Sequence, residues 1–308
     1  MLGKRLLASA PIVLLWLAAF LVPGPVGAVI FWLCSAVMLV VAVREFFNMT
    51  TAMGYAGQPR LTTAVGLLFL TGAFFCGWTC PGADPVVGQS AWERPIAVGL
   101  AIDGALVLLF LLLSSLVLFH GAPDKEHVMG LLVSLGGLVY VCWTLSFFPK
   151  LYFSSGMSSE GRWLALFAVT VTKLTDTGAF FLGSFTARLP RGNHKLAPRL
   201  SPKKSWEGLI GGILAGVLAA ELFVLLWPHR LLFNGMRVLD WRTALVFGVL
   251  FALVGLVGDL LESALKRAAG FKDSGRVPGL GGVLDILDSL ILVAPLFYFY
   301  VVFFDVLF

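Results

Sequence analysis

The chain has 308 residues, of which 59% are hydrophobic and 13% charged, with a formal net charge of +5. An ordinary soluble domain is roughly 45–50% apolar and about 25% charged, so this sequence cannot supply the charged surface that a water-soluble protein needs. A bilayer solvates apolar side chains directly, and an integral membrane protein is the class that remains.

In chain order, uncharged runs cover Leu6–Val22, Val26–Val43, Leu61–Thr79, Gly104–Phe119 and Val128–Phe148. Three further apolar stretches, Trp163–Ala187, Gly208–Trp227 and Thr243–Lys266, carry one to three charges each, and Val283–Phe304 has two acids in its first turns. A helix needs roughly 20 residues to cross the hydrocarbon core. Unpaired backbone groups are not tolerated there, so the spacing predicts about nine transmembrane helices in an all-α polytopic fold. Lys4 and Arg5 before the first run resemble a signal peptide, but the run is long and a second follows at once. A transmembrane hairpin turning at Pro23-Gly24-Pro25 is the better reading.

With nine spans, the N-terminus shares a side with loops 44–60, 120–127, 188–207 and 266–282. That side holds fifteen Lys and Arg residues, and the other holds six: Arg94, Lys150, Arg162, Arg230, Arg237 and Arg242. Basic loops stay cytoplasmic, which predicts a cytoplasmic N-terminus. Cys34, Cys76, Cys80 and Cys142 lie in or beside apolar spans and read as packing residues. Gly208, Gly212, Gly216 and Ala220 recur at four-residue steps, a close helix-packing face.

The whole reads as one membrane domain with an N-terminal set of plain spans, 1–160, and a chemically richer C-terminal set, 161–308. Two basic loops stand out in the second set. The segment Arg188 to Gly208 contains three prolines and two glycines, which forbid a regular helix. The segment Lys266 to Gly282 combines five charged residues, five glycines and Pro278.

Charges inside apolar helices are costly and normally face a protein interior or a watery cavity. Lys173, Asp176, Asp259, Glu262, Asp285 and Asp288 are such charges. Asp259, Glu262, Ser263 and Lys266 share one helical face, and Asp285 and Asp288 are spaced i, i+3. Asp259 lies about seven residues, or roughly 10 Å, from the cytoplasmic end of its helix. Asp285 and Asp288 enter the next helix from that side. Each acid singly could serve a helix dipole or an ion pair. Converging beside two basic loops, they form the hard oxygen set that Mg²⁺ requires, with Lys and Arg to hold phosphate oxygens. Phosphoryl or nucleotidyl transfer is the chemistry that fits.

The same residues carry a resemblance. The stretch from Ser263 through Lys266-Arg267, Lys272-Asp273 and Gly281-Gly282 to Asp285 and Asp288 resembles the signature of the phosphatidate cytidylyltransferase family, also called CDP-diacylglycerol synthases. Gly258-Asp259-Leu-Leu-Glu262, Asp176-Thr-Gly-Ala-Phe-Phe-Leu-Gly183 and His194 to Gly208 fit it too, so the likeness covers about 110 residues in order. It implies CTP and phosphatidic acid as substrates, CDP-diacylglycerol and pyrophosphate as products, Mg²⁺ as cofactor, membrane lipids around the site and a homodimer. A second cation is left open, and no nucleic-acid partner is expected. It further implies that Asp259, Asp285, Asp288 and Lys266 are catalytic, with Asp259, Asp285, Asp288 and Asp176 at the metal. Ser201, Lys203, Lys204, Ser205, Glu207, Ser263, Arg267, Lys272 and Asp273 would bind or shape the substrates. Leu280 and Ile286 stand where the family usually has His and Arg, and Ser184 where a basic residue is common.

The resemblance also implies a phospholipid-synthesis enzyme of the bacterial inner membrane type, its site facing the cytoplasm. Two alternatives stay open: a cation- or proton-coupled transporter, and a relative acting on another lipid or polyprenol phosphate. Transporters often show repeated halves with broken helices near the midplane, whereas these halves do not mirror each other.

Overall fold

The protein is described by a computed structural model covering residues 15–79, 90–120, 124–154, 160–190, 192–233, 236–275 and 281–307. Lys4, Arg5, Cys80, Arg191, Arg276 and Leu280 lie outside these residues. Eight helices among them are long and apolar enough to cross a membrane. They are α1 (Gly24–Ala52), α2 (Pro59–Thr79), α3 (Ser90–His120), α4 (Lys125–Tyr152), α5 (Glu160–Thr186), α6 (Trp206–Leu226), α7 (Trp241–Ala268) and α8 (Val283–Leu307). The chain is therefore an all-α polytopic integral membrane protein. Residues 15–21 are also helical, and the rest of the first expected span falls outside the described residues.

The Arg188–Gly208 loop, barred from helix by its prolines, folds as a small antiparallel hairpin. Strand β1 (Lys195–Ala197) pairs with β2 (Ser201–Ser205) in a register interrupted by a bulge. A second hairpin, β3 (Leu232–Phe233) with β4 (Met236–Arg237), closes the opposite end of α6. Its chain then enters α7 through Asp240, whose carboxylate accepts from Thr243 N at 2.8 Å in a capping box. That hydrogen bond holds the Asp240 carboxyl below its ordinary range.

The helix ends differ from those marked by charge alone. α1 runs nine residues past Val43, to Ala52, with Arg44 exposed but Glu45 buried. α4 continues through Pro149 to Tyr152, with one π-helical turn at Leu138–Trp143. Lys150, expected in an exterior loop, is therefore inside the helix and buried. It pairs with Asp103 of α3, which also accepts from Trp143 Nε1 at 3.0 Å. A charge ends a helix only when nothing inside can pair it; here pairing lets both helices run on.

The small-residue stripe of α6 packs on α5, as its spacing required. A Cβ at Gly212 would lie 3.2 Å from the Thr175 carbonyl oxygen and 3.3 Å from Ala179 Cβ, and one at Gly208 3.1 Å from the Ala179 carbonyl oxygen. Without these side chains the two backbones approach closely. α7 meets α8 in the same way at Gly258, where a Cβ would collide with the Asp288 carbonyl oxygen. Behind these contacts Phe167, Phe247, Phe251 and Phe297 form a buried aromatic cluster, in which Phe297 meets Phe247 and Phe251 edge to face and the Phe247 and Phe297 centroids are 5.2 Å apart.

Gly212→Leu should force α5 and α6 apart and lower stability by about 1–3 kcal/mol, the usual cost of overpacking. Thermal unfolding in detergent measures this, with Leu214→Ala on the exposed face of α6 leaving the transition unchanged.

Candidate active site

The cavity that the basic hairpin overhangs has a volume of about 390 Å³ and is lined by Asp176 of α5, Ser201, Lys203 and Lys204 of β2, Asp259 of α7 and Asp285 and Asp288 of α8, among others. Its walls follow from the helix packing. Gly208 and Gly212 bring α6 against α5, and Gly258 brings Asp259 to the level of Asp288. Ser205 ends the hairpin and starts α6, its Oγ accepting from Gly208 N at 3.1 Å as N-cap. The lysines of β2 are thus held beside the acids by a helix start and a short strand pair.

The acids divide into two groups. Asp259, Glu262 and Asp288 each offer a carboxylate oxygen within 4.8 Å of the others. Glu262 is fully buried. Its carboxylate pairs with Lys266 and lies against the Asp285 carboxylate, and it accepts from no backbone N–H among the described residues. Buried carboxylate oxygens normally accept several hydrogen bonds, so this one is under-satisfied. Three hard oxygen donors, one of them under-satisfied, fit a hard divalent cation. Asp259 also meets Lys204 Nζ at 2.7 Å and accepts from Ser263 Oγ at 3.3 Å.

Asp285 belongs to the second group. Its Oδ1 accepts from Lys266 Nζ at 2.6 Å, and its Oδ2 from Ser274 N at 3.1 Å and Gly282 N at 2.8 Å. Lys266 is shared by Glu262 and Asp285 and lies between the groups. Asp176 sits at the cavity rim, where its Oδ2 accepts from Ser289 Oγ at 2.9 Å and Lys173 Nζ at 3.1 Å.

The remaining expected residues have other surroundings. Glu207 accepts from His194 N through both oxygens, each at 3.1 Å, and contacts His194 Nδ1 at 2.6 Å, so it pins the hairpin entrance. Arg267 Nε donates to the Leu200 carbonyl at 3.3 Å, tying the hairpin turn to the end of α7. Lys272 and Asp273 are exposed and do not line the cavity. Ile286 is half-buried in the first turn of α8.

Two residues from the N-terminal set reach the acids. Glu45 of α1 accepts from the start of α8 and from Ser274. Tyr140, in the π-helical turn of α4, lies within electrostatic reach of Glu262, Asp288 and Asp259, and its buried hydroxyl makes no hydrogen bond with a described residue. The span reading ended α1 at Val43 and gave neither residue a role. The signal for Glu45 is in the sequence all the same: an acid set between the apolar run that ends at Val43 and the pair Phe46-Phe47.

A cavity with carboxylates on one wall and lysines on the other suits a substrate carrying several phosphates, with basic groups meeting its oxygens. The chain matches the model of a family described as the cytidylyltransferase family over residues 4–304. It is 37% identical over 208 residues to a phosphatidate cytidylyltransferase of Thermotoga maritima, covering 66% of this chain and 72% of that protein. It is 32% identical to one from Staphylococcus saprophyticus over 273 residues, and 31% identical to one from Staphylococcus aureus over 275. Each of these alignments covers 88% of this chain and 89% of the relative.

Lys266→Met should leave the fully buried Glu262 without its counter-charge and destabilise the protein by about 3–5 kcal/mol. Unfolding in detergent should recover toward the parent value when Glu262→Gln is added, because the stranded charge is gone.

Proposed function

The chain belongs to the cytidylyltransferase family, and from that premise we propose that it transfers the cytidylyl group of CTP to phosphatidic acid, giving CDP-diacylglycerol and pyrophosphate. One observation carries the reading to the site. In a chain matched almost end to end by this family, carboxylates of α7 and α8 face Lys203 and Lys204 across one cavity. A phosphate oxygen of phosphatidic acid attacks the α-phosphorus of CTP. The new P–O bond forms as the anhydride bond to the β-phosphate breaks, and pyrophosphate leaves with that electron pair. No side chain is covalently modified.

Within this reading Asp259, Glu262 and Asp288 would hold Mg²⁺. When bound, the ion neutralises phosphate charge in the transition state and on the leaving pyrophosphate. Lys203 and Lys204 bind CTP phosphate oxygens, and Lys204 exchanges its pairing with Asp259 for a phosphate as the site fills. Lys266 bridges Glu262 and Asp285 and offsets the charge of both. Asp176 and Lys173, at the rim, orient the lipid phosphate.

The site faces the cytoplasm of an inner-membrane-type bilayer, with the N-terminus on the same side. The support is the excess of Lys and Arg in the loops that share a side with the cavity. That is where CTP is available, and a shallow cavity among lipid-facing helices meets a phospholipid headgroup at its own depth.

Purified protein with labelled CTP and phosphatidic acid should form CDP-diacylglycerol only when Mg²⁺ is present. Polyprenol phosphate, run in parallel, should not accept the label. Asp288→Asn and Asp259→Asn should each reduce turnover by more than about 10- to 100-fold with folding retained, since losing a direct ligand costs more than losing a residue that only supports one. Full turnover by both variants sinks the metal assignment, and absence of any CDP-lipid from the parent sinks the substrate assignment. For orientation, Arg199→Cys should react with a membrane-impermeant maleimide in inside-out vesicles and stay unlabelled in right-side-out ones.

A further inference from the structure

The first four N–H groups of a helix have no partner within it. α8 begins inside the protein, beside the acids, and all four of its N–H groups from Gly282 to Asp285 are satisfied from outside the helical ladder. Gly282 N donates to Asp285 Oδ2 at 2.8 Å, and Asp285 N donates to Ser274 Oγ at 3.3 Å. The two between them go to one carboxylate from the other end of the chain: Val283 N donates to Glu45 Oε1 at 3.0 Å, and Leu284 N to Glu45 Oε2 at 2.8 Å.

Ser274 joins this carboxylate to the site. Its Oγ donates to Glu45 Oε2 at 3.1 Å while accepting from Asp285 N, and its own N–H donates to Asp285 Oδ2. Asp285 in turn holds Lys266, and Lys266 pairs with Glu262. The chain of contacts runs from Glu45 through Ser274, Asp285 and Lys266 to a carboxylate of the three-acid group. The segment is packed for it: a Cβ at Gly275 would collide with Glu45 Oε1, and one at Gly282 with Ser274 Oγ. Glu45 is buried, 5% exposed, and no cation pairs with it among the described residues. Its charge is balanced by helix N–H groups and the positive end of the α8 dipole. A buried carboxylate held only by such donors is costly unless the geometry it fixes is needed.

We propose that Glu45 is a positioning residue for the reaction: by capping α8 and holding Ser274 it sets where Asp285 and Lys266 stand, and through them the orientation of Glu262 toward the divalent cation. The inference rests on the cytidylyltransferase reading above. Glu45→Gln keeps the size but turns an NH₂ group toward a backbone N–H or the Ser274 hydroxyl, leaving a buried donor unpaired. Ser274→Ala leaves the two backbone caps and the Ser274 N–H bond to Asp285 intact, and removes only the hydroxyl that joins Glu45 to the Asp285 N–H.

The full chain in detergent is assayed for CDP-diacylglycerol synthesis across a Mg²⁺ series. Separately, with neither CTP nor lipid, Mn²⁺ binding is titrated by electron paramagnetic resonance. Glu45→Gln should lower kcat by about 10- to 100-fold and weaken divalent binding by a similar factor, the usual effect of losing an outer-shell partner. Ser274→Ala should shift both in the same direction, and the double variant should be no worse than the worse single one, because both act on one link. A folded Glu45→Gln protein with parental Mn²⁺ affinity and kcat overturns the proposal. If Glu45→Gln does not fold, Ser274→Ala decides: weaker Mn²⁺ binding supports the proposal and parental binding overturns it. A parent chain that binds no Mn²⁺ also overturns it. One that binds Mn²⁺ but makes no CDP-lipid defeats the substrate reading alone.

Discussion

Charge inside an apolar protein interior must be matched within a few ångströms, because neither lipid nor packed side chains can solvate it. Several acids in and beside the cavity obey this rule, each differently. Asp259 is matched by Lys204 from the hairpin, Glu262 by Lys266 one turn away, and Asp285 by the same Lys266 with two backbone N–H groups. Glu45 is matched by a helix start. The pairings tie α1, α7, α8 and the β1–β2 hairpin into one polar unit, so the cavity cannot be described helix by helix. Asp103 and Lys150 repeat the device elsewhere in the bundle, joining α3 to α4.

That polar unit depends in turn on close backbone packing. The glycines of α6 let it approach α5, and Gly258 lets α7 approach α8, so groups on neighbouring helices come within hydrogen-bond distance. Larger residues there would add apolar contact while moving the acids apart. The two requirements meet in the C-terminal helices, where small residues and intramembrane charges occur together. Lipid-facing surfaces of the same helices carry large exposed residues such as Phe181, Leu218 and Leu225, as expected where the bilayer is the solvent.

Much of this was legible in the sequence, and the misses share a cause. The membrane class, the helical architecture and the concentration of chemistry in residues 176–288 follow from composition, span length and i, i+3 spacing. Counting a helix as finished at its first charge cut α1 short before Glu45 and α4 short before Lys150, because an interior partner more than 40 residues away in sequence is invisible to a local pattern. The spacing puts Glu262 on the same face as Asp259, but does not show its full burial or its sharing of Lys266 with Asp285. Asp285 read as an equal of Asp288, yet one is consumed by Lys266 and backbone N–H groups while the other joins the three-acid group.

What the sequence determined by itself was the solvent of the protein, the secondary structure that solvent demands, and which residue types are too polar for their place. Those properties are local: they depend on hydropathy over a turn or a span and on backbone hydrogen bonding that must close within each helix. Only the tertiary structure decided which of those polar residues face each other. The sharing of Lys266, the meeting of Lys204 with Asp259 and the reach of Glu45 to the start of α8 each join separate segments, and partner choice among buried charges is set by packing at distances of about 3 Å.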